Sequence, residues 1–150
     1  MIGPAVASGT HILSIVLGFL FMWLRTQRLA AQPLEGERLD LMLSADNWAG
    51  IVSMFLIGSG LLRLLHFEKS PEFFFRNGFF WIKMGIYGVI FLLEMVPMFA
   101  FIGWRIDLKK GKVPDTSRAP LFRRIGQTQL ALLFLMPFCA AAMARGLWLF

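Results

Sequence analysis

The sequence predicts an all-α integral membrane protein: a four-helix bundle forming one domain over residues 1–150, with both termini on the outer, periplasmic side. Three observations lead there. Mean hydropathy is +0.66, and 57% of the residues are hydrophobic against 16% charged, too apolar for an ordinary soluble domain. The apolar residues are gathered into four blocks, each close to the ~20 residues that a bilayer crossing requires. The basic residues behind the net charge of +6 fall mostly in the links, where membrane topology accounts for them and no nucleic-acid partner is needed.

The first span covers about 4–24, with Trp23 placed as an interfacial anchor. The N-terminus lacks a basic leader region and the run passes directly into Arg25 and Arg28, so no cleaved signal peptide is expected. The polar link that follows carries Leu39, Leu41, Met42 and Leu43, a short amphipathic piece expected at the surface. Asp46 or Asn47 suits the N-cap of span two, at about 48–65. That span is rich in small residues (Gly50, Ser53, Gly58, Ser59, Gly60), which in lipid let helix backbones approach closely. A short aromatic link, broken by Pro71 and Gly78, leads to span three at about 79–104, where Pro97 should kink the helix. A basic loop then precedes span four, at about 127–149. Cys139 is the single cysteine and lies in an apolar run, so no intramolecular disulfide is possible and an inert thiol is expected.

Links one and three hold ten Lys or Arg residues, and link two holds Lys69 and Arg76. The positive-inside bias puts links one and three in the cytoplasm. Depth can then be counted. His11 lies about six residues inside span one, roughly 9 Å, and Lys83 about four residues inside span three, roughly 6 Å. Arg63 and Arg145 lie near the outer ends of spans two and four. Each span thus brings one nitrogen-bearing side chain to a similar level in the outer half of the membrane. Imidazole is a common haem ligand, a deprotonated lysine can ligate, and arginines at the aqueous boundary suit propionates. The sharp expectation is haem b, or a related porphyrin, between spans one and three, with His11 and Lys83 as axial ligands and Arg63 and Arg145 on its carboxylates. The plain alternative has His11 hydrogen-bonded to a neighbouring hydroxyl such as Thr10 or Ser14, Lys83 snorkelling to the interface, and both arginines acting as anchors.

Glu94 is a second intramembrane charge. It follows Lys83 by eleven residues, about three helical turns, and so shares its helix face about 16 Å deeper. With Lys83 it is a candidate catalytic residue, as a proton relay or substrate contact. An interhelical hydrogen bond, to Gln127, Gln129 or a serine of span two, is the alternative.

The stretch from Gly60 through Leu-Leu-Arg-Leu-Leu-His-Phe-Glu-Lys-Ser-Pro-Glu to Met84, together with Met143–Gly146, resembles a family of small bacterial inner-membrane proteins known as domain of unknown function 2214. The family name implies a location but no activity. A more distant resemblance is to the HemJ-type protoporphyrinogen oxidases, four-helix membrane proteins with haem b. Their functional histidine is matched by His11 in His-Ile-Leu-Ser-Ile-Val-Leu-Gly, and their functional lysine by Lys83 in Phe-Trp-Ile-Lys-Met. The Asn-Glu-x-Pro element entering the last helix of that family has no counterpart in Arg-Arg-Ile-Gly-Gln-Thr-Gln.

Three functions stay open at this point. One is a haem-dependent membrane oxidoreductase, transferring electrons or oxidising a porphyrinogen-type substrate. The second is a non-enzymatic subunit of a larger membrane complex or a homo-oligomer. The third is a proton-linked transport element using Lys83 and Glu94.

Overall fold

Residues 2–67 and 71–150 are described by the computed structural model. Four long helices dominate: α1 (Ile2–Arg28), α2 (Gly36–Leu62), α4 (Gly78–Lys109) and α5 (Ala119–Ala144), with the short α3 (Pro71–Phe75) between α2 and α4. All four long helices are long and apolar enough to cross a membrane, α2 together with the π-helical turn Arg63–Phe67 that prolongs it. At 1.5 Å per residue, α1 is about 40 Å long, more than the ~30 Å hydrocarbon core. Among the described residues there is no strand, only an isolated bridge between Asn77 and Leu149.

Packing follows the pairs α1–α2, α4–α5 and α1–α5. α1 and α4 lie diagonally and do not form a packed pair. α1 and α5 approach closely at Gly126, where an added Cβ would collide with Thr26. Alternation brings the start of α1, the end of α2, the start of α4 and the end of α5 to one end of the bundle. There Gly78 N–H donates to the Trp148 carbonyl and Phe150 N–H to that of Arg76, each at 3.0 Å.

The helices overrun the apolar blocks read from sequence, and the differences have local causes. α2 begins at Gly36 after Glu35, so Asp46 and Asn47 are interior residues and not the N-cap. The amphipathic piece belongs to this helix: Leu39, Met42 and Leu43 are buried in the bundle core and only Leu41 is exposed. α5 starts at Ala119 because Pro120 is tolerated in a first turn, where its missing N–H is not needed. It stops at Ala144 because Gly146, at φ +70°, turns the chain. Gly146 N–H then bonds the Met143 carbonyl and Leu147 N–H that of Ala142, closing the helix end. α4 continues through Pro97, which is buried.

Two apolar clusters mark the two ends. One gathers Leu29, Leu34, Leu39, Met42, Phe101, Trp104 and Phe122 where the first and third links emerge. The other packs Phe74, Phe80 and Met143 at the opposite end.

Candidate functional site

A regular buried stripe runs along each helix facing the interior. On α4 it is Ile90, Pro97, Phe101 and Trp104, with Glu94 in the same register. On α5 it is Ala119, Phe122, Gly126 and Gln129. On α2, Leu39, Met42 and Leu43 lead by the same spacing to Asp46. These stripes bring Asp46, Glu94 and Gln129 around one residue of α1, Arg25, whose side chain is only 2% exposed.

The guanidinium joins all four long helices. Nη1 donates to Asp46 Oδ1 at 2.9 Å and to Glu94 Oε1, and Nη2 donates to Glu94 Oε2 at 2.9 Å and Gln129 Oε1 at 3.2 Å. Gln129 is fully buried, and its amide donates to Glu94 Oε2 at 2.8 Å and to the Ile90 carbonyl at 3.1 Å. On the other side of Asp46, Arg105 Nη2 donates to Oδ2 at 2.7 Å and to Asn47 Oδ1 at 2.8 Å. Phe101 lies 5.8 Å from the Arg25 carbon as a cation–π partner. Two cations thus face two carboxylates, so the network carries no excess charge into the bilayer. One atom stands out: Arg25 Nε is buried with no acceptor among the described residues.

Of the residues singled out in sequence, Glu94 is in this network and Gln129 is among its partners. Arg25 and Arg105 were counted as link cations, and Asp46 as a cap. The signal for Asp46 is present in the sequence: Leu39, Met42, Leu43 and Asp46 follow i, i+3, i+4, i+7 spacing and extend span two upstream.

His11, Lys83, Arg63 and Arg145 sit at the opposite end. His11 turns toward α2, where its Nδ1 lies 3.1 Å from Ser59 Oγ. Ser59 has one hydroxyl proton, donated to the Phe55 carbonyl at 2.6 Å. With the proton used there, the Ser59 oxygen is left to accept from His11, the arrangement in which the imidazole proton is on Nδ1. Gly60 makes the room: a Cβ there would sit 3.3 Å from His11 Cε1. Lys83 is half-buried with its ammonium 6.0 Å from the centre of the Phe80 ring. Arg63 lies in the π-helical turn and Arg145 at the C-cap of α5, where it is exposed. His11 and Lys83 thus stand on the diagonal pair α1 and α4. His66 is exposed, and Cys139 is half-buried as a free thiol. Among the described residues no three His, Cys, Asp or Glu side chains gather as a metal-ion site.

Fold and site together define a four-span helical membrane protein tied through its interior by one arginine. The chain belongs to the family of predicted membrane proteins DUF2214, whose model matches residues 4–147. No curated protein and no solved structure matches it.

Proposed function

We propose that this protein is a bacterial inner-membrane haem b or porphyrin binder with a redox role, gripped from α1 by His11, with links one and three in the cytoplasm. The observation that carries the reading is the His11–Ser59 pair. A ligating histidine ordinarily donates its other ring N–H to a fixed acceptor, which sets the tautomer and the ring plane. Ser59 can be such an acceptor for Nδ1–H, which would make Nε2 the ligating nitrogen. Bound haem would supply one-electron chemistry. Arg63 and Arg145, at the same end of the bundle, would pair with its carboxylates, and Lys83 would be a second residue holding the group. The test is a reduced-minus-oxidised spectrum of protein purified from haem-replete cells. An α-band that disappears in His11→Ala supports the reading. A featureless spectrum, or a band unchanged in that variant, ends it.

A second reading is favoured by the network at the other end. Glu94 holds Arg25 with both oxygens, so taking up a proton there would loosen a tie common to four helices. A proton-linked transport element with Lys83 and Glu94 as working groups would use that device. Proton flux in proteoliposomes that is lost in Glu94→Gln supports it, and equal flux in both proteins removes it.

A further inference from the structure

The loop between α4 and α5 carries a charge pattern that neither reading uses. Residues 107–124 hold six basic side chains, Lys109, Lys110, Lys112, Arg118, Arg123 and Arg124, against Asp107 and Asp115. Among the described residues none of the six forms an ion pair with a carboxylate. Five of them are exposed, and Arg123 is half-buried.

The backbone explains why the lysines are not needed at the end of α4. Lysines at a helix end often serve the last carbonyls, but here Gly111, at φ +69°, does so through the turn. Gly111 N–H bonds the Leu108 carbonyl at 3.0 Å and Lys112 N–H that of Asp107 at 2.9 Å. The loop is also fixed in place. Trp104 Nε1 donates to the Asp115 carbonyl at 2.9 Å, pinning the far side of the loop onto α4. The Asp115 carboxylate is engaged by its own loop: the Ser117 N–H, 2.9 Å away, and the Ser117 hydroxyl hold it below the ordinary carboxylate range.

At the start of α5, the first turn has no acidic residue to answer the positive end of the helix dipole. Arg118 is held 5.7 Å from the Phe122 ring, and Arg123 Nε is buried with no acceptor among the described residues. Exposed apolar side chains stand among the cations: Val113 is 84% exposed and Leu121 43%. A surface that is cationic, preset and tipped with aliphatic groups complements a layer of anionic headgroups above acyl chains.

We infer that the α4–α5 hairpin is a binding surface for an anionic phospholipid, its phosphodiester held by Lys109, Lys110 and Lys112 from one side and Arg118 and Arg123 from the other. The surface lies at the opposite end of the bundle from His11, so it stands whether or not a porphyrin binds.

The experiment is native mass spectrometry of the full chain in neutral detergent, titrated separately with dioleoyl phosphatidylglycerol, dioleoyl phosphatidylcholine and inorganic phosphate. Phosphatidylglycerol should be retained at least tenfold better than phosphatidylcholine, and millimolar phosphate should not displace it. The triple variant K109Q/K110Q/K112Q should lower retention at least tenfold, with its helical circular dichroism and thermal midpoint unchanged. R28Q/R38Q, which removes charge from the first link, should bind within twofold of the parent. The lipid preference should also collapse in high salt, as expected for exposed charges. Equal retention of the two lipids, displacement by free phosphate, or undiminished binding by the triple variant overturns the inference. If the triple variant does not fold, the salt titration and the lipid comparison on the parent decide.

Discussion

Arg25 and Glu94, 69 residues apart in sequence, meet end-on inside the bundle, with Nη1 on one carboxylate oxygen and Nη2 on the other. This pair ties the diagonal helices α1 and α4, which share little direct packing. Its surroundings decide what each partner is worth. Arg25 is sealed, while the Glu94 side chain keeps 28% exposure.

Removal of the sealed partner should be the more damaging change. Arg25→Gln leaves Asp46 and Glu94 without their common cation, and breaking a buried pair in this way costs about 3–5 kcal/mol. Glu94→Gln keeps an acceptor for Arg25 and should cost about 1–3 kcal/mol. Because the two act on one network, R25Q/E94Q should cost less than the sum. Reversible unfolding in mixed micelles measures all three.

Arg105 offers a graded comparison. It bonds Asp46, Asn47 and the Leu43 carbonyl but is 27% exposed. Arg105→Gln should cost about 1–2 kcal/mol, less than Arg25→Gln, because water reaches this end of the network. The same unfolding assay ranks the two.

Gly126 tests the α1–α5 contact. Gly126→Ala drives a methyl into Thr26, and overpacking of this kind costs about 1–3 kcal/mol. Thr26→Ala removes Oγ1, the nearest atom, and Cγ2, leaving Cβ at 3.2 Å, so G126A/T26A should regain most of the loss. A double variant no better than G126A alone would show that the two helices do not meet there.

Ser59 tests the orientation of His11. If His11 ligates a haem, Ser59→Ala removes the acceptor for Nδ1–H, and losses of such outer partners weaken metal binding about 10–100-fold. Haem titration into the apoprotein reads this directly. Ser59→Thr, which keeps a hydroxyl, should bind close to the parent.

The fold was legible because its strongest determinant, long apolar blocks with basic links, is written in composition. What the blocks hid was helix length. Arg25 looked like the first residue beyond a span, yet α1 continues to Arg28 and turns Arg25 inward. Asp46 looked like a cap because Asp is a good one, yet Leu39, Met42 and Leu43 were already carrying α2 toward it. The hydrogen bond from Gln129 to Glu94 was among the partners read from sequence. Its third member was not, because hydropathy treats an arginine as a boundary and cannot register one whose charge is answered from three other helices. The depth match of His11, Lys83, Arg63 and Arg145 places them all at one end of the bundle, but only coordinates could bring Ser59, 48 residues away, against the imidazole.

The interior network also bears on how the two halves of the chain are joined. Arg25 and Asp46 belong to the first hairpin, and Glu94 and Arg105, eleven residues apart, to a single helix of the second. Each half therefore brings one charge of each sign to the interior network. The charges that each hairpin gives to the network balance within that hairpin. The bonds that cross between the halves, Arg25 to Glu94 and Arg105 to Asp46, are what join the two hairpins into one protein.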